Sequence, residues 1–129
     1  MNILEAFSEY MEDLGLGTFG EDIYIGGAPL DAIDPIWWII AAGGSSEPKN
    51  NTGERIKKYN LEVYYRNTDE EDVYNLLQTL EEDINGKHCT QLTGYQTVDM
   101  EAVSFPVSKD IDNEDRTVGM LQVTVSIYL

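Results

Sequence analysis

The sequence predicts an α+β domain, a small antiparallel or mixed sheet with two helices packed on one face, in the order α-β-β-β-α-β-β. Three observations lead there. Two stretches, around residues 3–14 and 68–84, carry apolar side chains at helical spacing. Five others either alternate apolar with polar residues or are apolar throughout, as strands do. Glycine, asparagine and proline clusters fall between these runs rather than inside them. At 129 residues, 42% of them hydrophobic, the chain fits one domain spanning 1–129, since domains commonly run to about 100–150 residues.

The first helix is expected over residues 3–14, with Asn2 as its N-cap and Glu5 three positions on completing a capping box. Ile3, Leu4, Phe7, Met11 and Leu14 share one face, and Gly15 and Gly17 stop the helix. Ile23-Tyr24-Ile25 reads as a short strand closed by Gly26-Gly27. Pro29 and Pro35 keep residues 28–35 irregular. Residues 36–42 (IWWIIAA) form a strand apolar on both faces. Adjacent side chains on a strand point to opposite faces, so one of Trp37 and Trp38 is expected under a helix and the other against a neighbouring molecule.

Residues 43–54 (GGSSEPKNNTGE) hold no periodic apolar residue and read as a long loop, either a plain hairpin connection or an assembly contact. Residues 55–67 form a long strand, with Tyr59, Leu61, Val63 and Tyr65 on its apolar face. Thr68 and Glu71 make a capping box for the second helix, whose stripe is Val73, Leu76, Leu77, Leu80 and Ile84 and whose end is Asn85-Gly86. The strand over 95–107 changes parity: Val98, Met100 and Ala102 share one face while Val103, Phe105 and Val107 take the other, so a bulge is expected at Ala102 or Val103. Residues 108–115 read as a polar hairpin connection. The last strand, 116–129, alternates Leu121, Val123, Val125, Ile127 and Leu129 against Gln122, Thr124, Ser126 and Tyr128.

Charge narrows the function classes. Twenty-four acids against eight bases give a net charge of −16, which repels nucleic-acid phosphates and anionic lipid headgroups. The acidity serves solubility, or else supplies an acidic lining or patch to a basic partner. Cys89 is alone, so no disulfide forms within the chain, in keeping with a reducing cytoplasm. The longest apolar run, residues 36–42, is far short of the ~20 residues that cross a bilayer. The acidic N-terminus lacks a secretory start, so Asn50-Asn51-Thr52 is not expected to be glycosylated.

No constellation of catalytic residues emerges, and an enzyme is not expected. His88, the single histidine, adjoins Cys89, and neighbours in sequence rarely face each other as base and nucleophile. Residues 110–115 (DIDNED) place oxygen ligands as a calcium loop would, but lack the sixth-position glycine and downstream glutamate. Residues 69–72 are the acidic first turn of a helix, complementing its dipole. Residues 15–20 match G-x-G-x-x-G, yet follow a helix rather than a strand, the wrong context for a dinucleotide.

Three segments carry a resemblance: IYIGGAPLDAIDPIWWIIAAGG, GERIKKYNLEVYYRNTDEEDVYNLLQTLEEDIN and SFPVSKDIDNEDRTVGMLQVTVSIYL. From about residue 23 to 129 the chain resembles the tail-terminator or minor capsid proteins of long-tailed bacteriophages, chiefly through Trp37-Trp38, Tyr64-Tyr65-Arg66 and residues 112–116. The resemblance implies a virion protein of the siphovirus neck, assembled in the bacterial host cytoplasm. Such proteins form a ring, usually a hexamer, that ends tail-tube polymerisation and joins the tail to the head connector. Its partners would be further copies, the tail-tube protein and connector proteins, with genome DNA passing through the lumen without specific binding. It implies no cofactor, no metal and no membrane. The expected contact residues are Trp37 and Trp38, Lys49 and Asn50 in the loop, Arg55, Tyr64 and Arg66 on the long strand, and Asp112, Glu114 and Arg116 before the last one. Two other classes stay open: an acidic inhibitor, immunity protein or DNA mimic, and another phage ring or tube protein such as a tail-tube or head-completion protein.

Overall fold

A computed structural model describes residues 2–27, 33, 35–46, 55–86, 92–104, 108–109 and 116–128. Helix α1 spans Ile3–Asp13 and α2 spans Glu70–Gly86; the strands are β1 (Ile23–Ile25), β2 (Ile36–Ser46), β3 (Ile56–Asn67), β4 (Thr97–Ser104), β5 (Ser108–Lys109) and β6 (Thr117–Tyr128). The sheet runs β1-β2-β3-β6-β4, with β5 also paired to β6. It is mixed: β1 lies parallel to β2, and every other pairing is antiparallel. The expected α+β order therefore holds, with the two-residue β5 added inside what reads in sequence as a connection.

Both helices cover the same face. Ile3, Ala6, Phe7 and Met11 of α1 and Val73, Leu77, Leu80 and Ile84 of α2 join one core cluster with Trp37 and Ile39, Leu61 and Val63, and Leu121, Val123, Val125 and Ile127. The two helices are tied by a hydrogen bond from the Tyr10 hydroxyl to the Asp83 carboxylate. Burial and that carboxylate push the Tyr10 hydroxyl far above the ordinary tyrosine value. Asn2 caps α1, its side chain accepting from the Glu5 N–H at 2.9 Å. Gly15, at φ 80°, ends it: Gly15 N–H donates to Glu12 and Leu16 N–H to Met11, a Schellman closure.

Four local expectations are corrected. First, residues 43–46 belong to β2 and not to a loop. The register slips between Ala41 and Gly44, where Gly43 takes φ 97°, so the glycines make a bulge and the strand resumes against Tyr59, Lys58 and Lys57. A Cβ on Gly44 would sit 2.4 Å from the Lys58 carbonyl oxygen, so this position has no room for a side chain. Second, α2 is capped by Asp69 rather than Thr68: its Oδ1 accepts from the N–H groups of Glu71 at 3.1 Å and Asp72 at 3.4 Å. Third, the β4 bulge lies at Val98, between Thr97 and Asp99, not at Ala102 or Val103. Thr97 and Met100 are both buried though three residues apart, which a bulge between them allows, while Val103 is 59% exposed and needs none. Fourth, residues 108–109 pair with Val118 and Thr117 instead of forming part of a turn. The expectations for residues 28–32, Phe105, Val107, 110–115 and Leu129 lie outside the described residues.

Edge strand β4 is closed at one residue by a side chain. The Asn85 amide donates to the Ala102 carbonyl and its oxygen accepts from the Ala102 N–H, both at 2.9 Å, as a neighbouring strand would.

Urea denaturation checks three consequences. Trp37→Ala should cost about 3–5 kcal/mol, the range for emptying a large buried aromatic site. Asn85→Ala should cost about 1–3 kcal/mol, because it orphans two backbone groups. Tyr10→Phe should cost about 1 kcal/mol at neutral pH. A raised tyrosine value means the folded state holds its proton longer than the unfolded chain, so this stabilisation is fully present below the ordinary value of 10.0 and is lost as pH climbs above it. The Tyr10→Phe protein should therefore lose less stability than wild type between neutral pH and the alkaline range above 10.

Candidate interaction surface

The second face of the sheet is where the functional candidates gather. The β2–β3 register pairs Trp37 with Tyr65 and Trp38 with Tyr64, so the two tryptophans part across the sheet. Trp37, 1% exposed, packs inward against Tyr65 with ring centroids 4.3 Å apart. It is a core residue, and in the described fold it has no surface to offer a partner. Trp38 points the other way and stacks on Tyr64 at 5.2 Å with planes 7° apart. The Arg66 guanidinium lies over the Trp38 ring, 6.0 Å from its centroid, near the outer limit for a cation–π contact. Among the described residues no helix covers this face; both helices join the core on the other.

The stack sits at one end of a graded surface. Ile36 pairs with Arg66 and Ile40 with Glu62 across β2–β3, and Val118 and Met120 of β6 lie beside Arg66 and Tyr64. Ile36 is buried, while Ile40, Tyr64, Val118 and Met120 are half-buried. Further along β3 the same face turns polar: Asn60 accepts from the Thr124 hydroxyl at 3.2 Å, and Glu101 pairs with Thr124 in turn. Partial burial pushes the Tyr64 hydroxyl upward, and the Glu62 carboxylate adds to it. Each aromatic contact of this kind contributes about 0.5–1.5 kcal/mol beyond area burial.

Of the residues expected at contacts, the structure brings together Trp38, Tyr64 and Arg66. Half-buried Arg116 lies at the same end, two positions before Val118, the register partner of Arg66. Arg55 is exposed at the opposite end of β3. Lys49, Asn50, Asp112 and Glu114 lie outside the described residues, as do His88 and Cys89. Reasoning from sequence missed Ile40, Val118 and Met120. The signal was present, since the outward positions read at 122, 124, 126 and 128 continue back to 120 and 118 at period two.

The helices are uniformly acidic. Helix α1 carries four acids, Glu5, Glu9, Glu12 and Asp13, and α2 carries six, while neither contains a basic residue. On the open face the registers set Lys58, Glu62 and Arg66 of β3 and Asp99 and Glu101 of β4, so acids and bases are mixed there, while Lys57 has the parity of the core side. Among the described residues no group of three His, Cys, Asp or Glu side chains is placed to hold a metal ion. No helix among them is long and apolar enough to cross a membrane.

No curated protein sequence matches the chain. A family description does: that of the bacteriophage tail terminator protein, over residues 10–129, which takes in every strand and all of α2. With nearly the whole length matched, the chain belongs to the bacteriophage tail terminator protein family.

Proposed function

We propose that this protein is a structural subunit of the virion neck, forming a ring, of six copies, on the head-proximal end of the tail. The ring stops the tube from growing and offers its other side to the head connector. The single observation that carries the reading is the Trp38–Tyr64–Arg66 surface on a sheet face that the protein's own described helices leave open, in a chain of this family. Trp, Tyr and Arg are the residue types that dominate binding energy at protein interfaces. A structural role asks for no reacting group, and we read the chain, as one domain over 1–129, as a non-enzyme that acts by contact alone.

The net charge of −16 fits the passage of a genome. Tight DNA binding depends on cations that displace condensed counterions, and a strongly acidic ring offers few of them. The ten helical acids also suit a second reading, an acidic inhibitor or DNA mimic that acts as a monomer.

Negative-stain microscopy of the full-length protein, alone and mixed with the tail-tube protein of the same phage, separates these. The reading expects rings of one diameter and, in the mixture, short tubes capped at an end. Unlimited tubes from this protein alone would make it a tube subunit. Dispersed monomers that leave tube length unchanged would favour the mimic.

A further inference from the structure

Both long edges of the sheet are shut over part of their length and open over the rest. On β2 the short strand β1 covers one half: the Trp37 N–H donates to the Asp22 carbonyl, and the Ile39 carbonyl accepts from the Gly26 N–H. Backbone groups alternate in direction along a strand, so the next to point outward are those of Ala41. Across the bulge Gly44 takes over that parity, since the β3 partners of Ala41 and Gly44 are Leu61 and Tyr59, two apart, and Ser46 follows. Residues 41–45 are all exposed, and among the described residues no backbone group bonds Ala41 or Gly44 on this side. On β4 the Asn85 amide takes both backbone groups of Ala102 on the side away from β6. Those of Met100, two residues earlier, point the same way and meet no backbone partner there among the described residues. The two openings are level with each other: the registers run Gly44–Tyr59–Val125–Met100 across the sheet, and Ser45–Lys58–Ser126–Asp99 in the next row. The two closures lie toward the same end, β1 beside Ile39 and Asn85 at Ala102, the residue level with Ala41.

We propose that the Gly44–Ser46 edge of β2 in one copy pairs with the β4 edge at Met100 in the next, so that the two sheets join edge to edge. Direction, level and parity all point to a second copy as the occupant. Three antiparallel pairings separate β2 from β4, so the two strands run in opposite directions. Rotation about an axis along the strands keeps those directions, and β2 of one copy then meets β4 of the next as an antiparallel pair. Gly44 opposite Met100 sets core row against core row, and Ser45 opposite Asp99 sets open row against open row. The helices thus stay on one side of the joined sheet and Trp38 on the other. Asn85 of one copy and β1 of the other end the ladder, which confines it to a short stretch. The contact is head-to-tail: such contacts generate a ring when the rotation between copies closes, and an open filament when it does not. This deepens the ring reading above and rests on it.

Cysteine cross-linking tests the junction. Ser45 and Asp99, both exposed, make the close pair beside Gly44 and Met100. Within one copy β3 and β6 lie between them, a separation of about 14 Å that no disulfide spans. Full-length Ser45→Cys, Asp99→Cys protein in a Cys89→Ser background is assembled on tail tubes, treated with a mild oxidant and run on a non-reducing gel. A ladder of covalent species up to the whole ring is expected. The two single-cysteine proteins should give dimers and nothing larger when mixed, and no cross-link when oxidised apart. Ser46→Pro removes an outward N–H and leaves the β3 ladder intact, so it should raise the protein concentration needed for half-assembly at least tenfold. Melting curves identify a proline variant lost to misfolding, in which case the cross-links decide alone. Rings of the double-cysteine protein that stay uncross-linked, or dimers from Ser45→Cys by itself, would overturn the junction and leave the ring reading standing. Wild-type protein that stays monomeric, alone and on tail tubes, would remove the ring reading and the junction together.

Discussion

The pairing of β3 with β6 is the constraint on which the rest of the structure depends. Twelve consecutive residue pairs, from Ile56 with Tyr128 to Asn67 with Thr117, hold a single register without a slip. Side chains alternate at period two, so a slip by one residue would exchange Leu61, Val63, Leu121 and Val123 with Glu62, Tyr64, Gln122 and Met120. Burial of the first set beneath the helices therefore fixes which residues face outward. The β2 pairing passes that parity on, turning Trp37 into the core and Trp38 out of it. The outward aromatic surface is thus a geometric consequence of a well-packed interior, and its rings are held by strands rather than by loops.

The two irregularities in the sheet protect this parity. On β2 the slip between Ala41 and Gly44 lengthens the strand without disturbing the pairs nearer Trp38. On β4 the extra residue Val98 lets Thr97 and Met100 both reach the core. At the β4 edge the Asn85 side chain occupies the backbone groups of Ala102, which reduces the chance of uncontrolled strand addition there. The two sides also differ in chemistry: the covered side of the sheet ends in an acidic helical layer, and the open side in aromatic rings with charges of both signs around them. A subunit built this way carries unlike surfaces on its two sides, a property suited to directional assembly.

Much of this was legible in the sequence, for a physical reason in each case. Helix α1 announces itself through Asn2, the 3.6-residue stripe and Gly15, and β6 through four clean alternations. The adjacent tryptophans showed that two faces are apolar, though not which ring goes inside. That depends on the partner strand, where Tyr65 rather than Tyr64 shares parity with Leu61 and Val63. The glycine pair at 43–44 was misread because the same backbone freedom serves a loop, a bulge or a close approach, and the choice rests on a strand distant in sequence. Thr68 lost the cap to Asp69 because both residue types accept from the first turn, and spacing alone does not rank them. Among the contact residues expected from the resemblance, Trp38, Tyr64 and Arg66 share one face because their strand parity is the same. Ile40, Val118 and Met120 carry no chemistry that marks them before the register is known.

Tryptophan fluorescence in the Trp37→Phe protein, which leaves Trp38 as its single emitter, probes the open face directly. The account predicts that acrylamide quenches this emission readily in the unassembled subunit, and that quenching falls as the emission shifts to shorter wavelength on assembly with tail tubes. Assembly that leaves both the quenching and the wavelength of Trp38 unchanged would contradict it.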